Sequence, residues 1–131
     1  MTMATTKKSD GQRAPRVAEA LRAELMNMLL EGAVHDPGAQ NVVVSSVALT
    51  PDLRLAKIYV RLLSLEASAE SKQGVLRALE RAKGFLRREL GQRLKLRYAP
   101  DLRFYYDESI DRGAEMEAIL RELKRDGEPR E

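Results

Sequence analysis

Arg81, Lys83, Arg87, Arg88, Arg93, Lys95 and Arg97 crowd into one short stretch whose only acid is Glu89. The whole 131-residue chain carries a formal charge of only +3, so outside this stretch it is net acidic. Guanidinium groups can grip phosphate oxygens at two points and ammonium groups act as point charges, so the chemistry on offer is neutralisation of a polyanion. Nucleic acid is the commonest partner of that kind. A helical face kept merely soluble interleaves Glu with Lys, whereas here Glu89 stands alone.

Gly84 and Gly91 interrupt the same stretch. Glycine leaves no side chain to hold an approaching backbone away, and a helix starting at Gly84 would present amide groups and a dipole that favour phosphate, with Lys83 and Arg87 beside it. At about 100° per residue, Leu86, Leu90 and Leu94 share one side, while Arg87, Arg88, Gly91, Gln92 and Lys95 spread over the other. The expected nucleic-acid-binding set is Arg81, Ala82, Lys83, Gly84, Arg87, Arg88, Gly91, Lys95 and Arg97. Arg13 and Arg16 either extend that surface or simply open the first helix.

Other chemistries have no visible apparatus. Cysteine is absent, which excludes a disulfide framework, a zinc knuckle and a thiolate nucleophile. His35 is the single histidine and sits in a Pro/Gly turn, and no phosphate-loop signature of the Gly-x-x-x-x-Gly-Lys type occurs. Asp107 and Glu108 are neighbours on an expected strand, so they point to opposite faces and suit helix capping better than paired acid–base work. No catalytic residue, metal ligand or cofactor is assigned. Tyr59, Tyr98 and Tyr105 offer faces on which bases stack, yet packing over a sheet is the expected role of each.

The elements that must position these side chains follow from periodicity. From about Pro15 to Glu31, Val17, Leu21, Leu25, Met28 and Leu29 share a helical face, with Gly32 suited to a left-handed end. Residues 42–50 and 55–63 read as a β-hairpin around Pro51–Arg54; in the second strand Ala56, Ile58, Val60 and Leu62 face one way and Lys57, Tyr59 and Arg61 the other. A second helix from about Ser68 carries Val75, Leu76, Leu79 and Ala82 to a kink or break at Gly84, where glycine costs about 1 kcal/mol relative to alanine. A third helix follows until Tyr98-Ala-Pro100, then a strand over 102–107 and a last amphipathic helix from Ser109 to Lys124. Residues 1–12 and 125–131 read as flexible tails around a domain spanning 13–124. No apolar leader or run of ~20 apolar residues occurs; a soluble, cytoplasmic, monomeric protein is expected.

Helix, strand, strand, helix, kink, helix, strand, with a further C-terminal helix, is the order of an α+β type II KH-like domain, with a three-stranded sheet packed by helices on one face. Arg16-Val17, Asp36-Pro37, Asp52-Leu53, Ala56-Lys57-Ile58-Tyr59-Val60, Gly84-Phe85-Leu86-Arg87, Leu96-Arg97, Pro100-Asp101-Leu102, Phe104, Asp107, Ser109 and Gly113 together resemble the ribosome-binding factor A family over about Arg13 to Leu123. Ala82-Lys83-Gly84 matches that family's alanine-x-glycine kink. The resemblance implies a non-enzymatic assembly factor that binds the free small (30S) ribosomal subunit and its 16S rRNA late in maturation. It further implies help with 5′-end processing of the precursor, adaptation to cold, and contact with other assembly factors. The sequence departs from the family around Asp36-Pro37, where His35 and Gly38 replace a basic pair, so that loop is given no RNA contact. Two helices joined by a glycine turn also describe a helix-turn-helix DNA binder, which is the alternative. A protein adaptor using the apolar hairpin or last helix is a third.

Overall fold

The computed structural model describes residues 2–64, 67–109 and 119–123, with side chains from Arg13 onward. The first helix, α1, spans Thr2–Leu30. Of its expected apolar stripe, Leu21, Leu25 and Met28 are buried, and Val17 and Leu29 pack partly buried against the core. Gly32, at φ 77, ends it: the Gly32 amide donates to the Leu29 carbonyl and the Ala33 amide to that of Met28. Both bonds of a Schellman motif are thus made, and glycine supplies the left-handed backbone at no steric cost.

The helix begins well before the expected start at Pro15, which lies inside it, so the stretch 2–12 read as a tail is helical. Pro15 is exposed; lacking an amide hydrogen it forfeits one helical hydrogen bond, yet the helix runs through it. The first buried side chain described is still Ala18.

After a 3-10 turn at Pro37–Ala39 come β1, Val42–Leu49, and β2, Leu55–Leu62. They pair antiparallel, with a register shift between Val44 and Ser46 that makes Ser45 a bulge. The hairpin turn is closed by Asp52, which accepts from the Thr50 hydroxyl (2.7 Å) and the Arg54 amide (3.1 Å). The second helix, α2, spans Ala69–Arg93, and Ser68 caps it by accepting from the Ser71 amide. It returns the chain to the start of β3, Asp101–Tyr106, which pairs parallel to β2 and completes the order β1-β2-β3. A parallel neighbour requires such a crossover, and a helix is its usual form.

Leu21, Leu25 and Met28 of α1 and Val75, Leu79, Leu86 and Leu90 of α2 pack with Val44, Ile58, Val60 and Leu102 of the sheet in one core. Both helices therefore lie on one face of the sheet, as expected. The other face carries Lys57, Tyr59, Arg103 and Tyr105.

Two expectations need correction. The two helices separated at Gly84 are one unbroken helix: the roughly 1 kcal/mol that glycine costs is small beside ~1.5–3 kcal/mol for each buried leucine on either side. A helix-turn-helix consequently loses its turn. The helix also stops earlier than Tyr98. Lys95 adopts φ 52, its amide donates to the Gln92 carbonyl (3.3 Å) and the Leu96 amide to Gly91 (2.9 Å), a second Schellman end that places Lys95 and Arg97 beyond the helix. Most of the expected Ser109–Lys124 helix falls outside the described residues; 119–123 is helical.

Candidate nucleic-acid interface

Burial of Val75, Ala78, Leu79, Leu86 and Leu90 fixes which side of α2 faces inward. At about 100° per residue, the opposite side passes through Arg77, Arg81, Gly84 and Arg88 and points on to Lys95 past the helix end. All five residues are exposed. Glu80 and Glu89 fall to the flanks, so the ridge itself has no acid between Arg77 and Lys95. A methyl group built on Gly84 would meet nothing within 4 Å. The glycine is thus a notch in the cationic ridge, open to an approaching backbone, and no internal packing requires it.

Arg81 stands on the ridge but is engaged. Its Nε and Nη2 donate to Asp36 Oδ2 at 2.9 and 2.6 Å, tying α2 to the 3-10 turn. Those bonds, with the Gly38 amide, hold the Asp36 carboxyl below the usual range. The Arg81 side chain remains 61% exposed, and an ion pair in such a setting contributes little. Phosphate can therefore compete for it. Among the described residues no ion pair engages Arg77, Arg88 or Lys95.

Other members of the expected set turn away from this line. Lys83 pairs with Glu80 at 2.7 Å and is only 25% exposed, and Ala82 is half-buried against the core. Arg87 is a clamp: Nε donates to the Pro100 carbonyl (3.0 Å) and Nη2 to that of Ala99 (3.1 Å), fastening the loop that leads into β3. Gly91 faces the same loop, where an added Cβ would lie 3.5 Å from Ala99 Cβ. Arg97 lies over its neighbour Tyr98, 5.5 Å from the ring centroid. Arg97 and Tyr98 belong to a groove of ≈ 780 Å³ between the middle of α1, the hairpin turn and residues 96–101, with Arg13, Arg54 and Arg87 also in its wall.

Arg93, counted in the charge cluster, bridges three carboxylates, Glu24 (2.9 Å), Glu31 (3.1 Å) and Glu89 (3.3 Å). Hydrogen bonds to Glu31, then Glu24, raise its pKa still further. This cation joins α2 to α1. Arg77 is the residue that sequence reasoning missed. Its signal was present, since stepping back from Arg88 through Gly84 and Arg81 at helical spacing reaches it.

Lys95 adds a backbone observation. A left-handed lysine costs roughly 1–2 kcal/mol, where glycine would sit unstrained. Asn41 and Leu53 share this left-handed backbone, at φ 60 and 63.

Among the described residues no group of three or more His, Cys, Asp or Glu is placed to hold a metal ion. No helix among them is long and apolar enough to cross a membrane.

An antiparallel pair extended by a parallel third strand, with both helices on one face and a cationic ridge on the crossover helix, defines a type II KH-like α+β domain. The family model for Ribosome-binding factor A matches residues 13–120, and the chain belongs to that family. It is 43% identical over 116 residues to Ribosome-binding factor A of Brevibacillus brevis, covering 88% of this chain and 93% of the relative. The Syntrophobacter fumaroxidans protein of the same name is 42% identical, over 86% of this chain and 94% of the relative. The crystal structure of ribosome-binding factor A from Thermus thermophilus superposes with a TM-score of 0.59 at 28% identity, covering 71% of this chain and 94% of that one. A homology model of the Thermus thermophilus factor, fitted into a cryo-EM map of a 30S–RbfA complex, superposes with a TM-score of 0.51 at 31% identity, over 68% and 93% of the two chains.

Proposed function

We propose that this chain is a cytoplasmic, monomeric assembly factor that binds the free 30S subunit and contacts its 16S rRNA through the outer ridge of α2. The observation that carries the reading is the row Arg77, Arg81, Gly84, Arg88 and Lys95, cationic, acid-free and notched, on the side of the helix turned from the core. A relative of the same family has been placed in a 30S complex, which supports the choice of partner. The mechanism is occupancy without catalysis. Cations neutralise rRNA phosphates and hold a late, immature conformation, assisting 5′-end processing and growth in the cold, until a later factor displaces the protein.

The test is competition at several salt concentrations. Small-subunit rRNA should displace a labelled RNA far better than duplex DNA does. With about 4 phosphates neutralised on single-stranded RNA, log affinity should fall with log salt at a slope of about −3. A slope near zero would contradict the ridge as an electrostatic site.

A further inference from the structure

α2 turns its ridge away from the sheet, and both helices cover one sheet face, so the opposite sheet face is a separate surface on the far side of the domain. Strand register arranges it in rows. Ser46, Tyr59 and Tyr105 are cross-strand neighbours, and the next row holds Ala48, Lys57 and Arg103. Ser46, Ala48, Lys57, Arg103 and Tyr105 are all exposed.

The two tyrosine rings stack with centroids 5.5 Å apart and planes inclined at 27°. Beside them Lys57 and Arg103 stand directly opposite one another, a like-charge pair that destabilises a sheet unless an anion lies near. Among the described residues, the carboxylate that pairs with them is that of Asp101, whose Oδ2 reaches Arg103 Nε only at 4.0 Å, the outer limit of an ion pair. Small side chains at Ser46 and Ala48 leave the surface beside the rings and cations open. Paired aromatic rings on an open sheet, bordered by cations about two residues along the strands, suit a base laid on a ring with its phosphate over the cations.

We propose that this face is a second RNA contact, taking an unpaired strand by stacking on Tyr59 and Tyr105 and by pairing phosphate with Lys57 and Arg103. It rests on the reading of the protein as an rRNA binder and deepens it: with a ridge on one side and a stacking face on the other, the domain is wedged between two RNA segments.

The test uses the full chain, a labelled unstructured oligouridylate and intact small subunits. In an Arg88→Glu/Lys95→Glu background, which disables the ridge, oligouridylate should still bind and quench tyrosine emission. Adding Tyr105→Ala should weaken that binding about tenfold. Lys57→Glu/Arg103→Glu, confined to exposed side chains, should weaken it comparably while thermal unfolding stays cooperative, which guards against loss of fold in the tyrosine variant. Affinities within about twofold of the parent for both sheet-face variants would overturn the proposal. So would an effect seen only with whole subunits and never with oligouridylate, which would assign the face to a protein. If the ridge variant loses subunit binding while both sheet-face variants bind subunits and oligouridylate as the parent does, this inference fails and the broader reading stands. If neither surface matters for subunit binding, the broader reading fails.

Discussion

Lys95 separates function from stability at one position. Its φ of 52 would suit glycine, so Lys95→Gly should leave thermal stability unchanged or raise it, by up to about 1 kcal/mol. The same change removes a ridge cation and should weaken RNA binding several-fold. Melting and RNA titration on one sample check both halves; undiminished binding would remove Lys95 from the site. Arg87 and Arg93 show why individual roles could not be read from the chain. Each is an arginine in a cationic run, and apart from Glu89 one turn before Arg93 nothing local distinguishes them from Arg88. Their partners are remote in sequence, the Ala99 and Pro100 carbonyls for Arg87 and Glu24 and Glu31 for Arg93. Tertiary contact alone turns one cation into a clamp and leaves another facing solvent.

Gly84 plays the equivalent part within α2. Open space surrounds its Cβ position, so Gly84→Ala should stabilise the helix by about 0.5–1 kcal/mol. Yet the methyl group fills the notch at the centre of the ridge, and RNA affinity should fall as the melting temperature rises. If both rise together, the notch has no part in binding. The apolar stripes of α1 and α2 and the alternation of β2 were visible in sequence because burial imposes a period. The unbroken passage through Gly84 was not, since it depends on how much of Leu79, Leu86 and Leu90 the sheet covers. The order β1-β2-β3 was equally hidden, because a pattern of inward residues states which face is buried and not which strand lies alongside.

For the domain as a whole, the charge asymmetry resolves into two classes of cation. Arg81, Arg87 and Arg93 fasten the 3-10 turn, the loop before β3 and α1 to the long helix, while Arg77, Arg88 and Lys95 project outward with no ion-pair partner described. The family resemblance and the α+β class were evident from ordered local motifs; the division of labour among the cations required the fold. The central claim, that the outward row docks the protein on the small subunit, is tested most directly by co-sedimentation of Arg77→Glu/Arg88→Glu protein with purified 30S subunits. Both side chains are exposed, so the variant should unfold as cooperatively as the parent. It should remain in the supernatant while the parent pellets with the subunits; a folded variant that pellets equally well would rule out docking through the ridge.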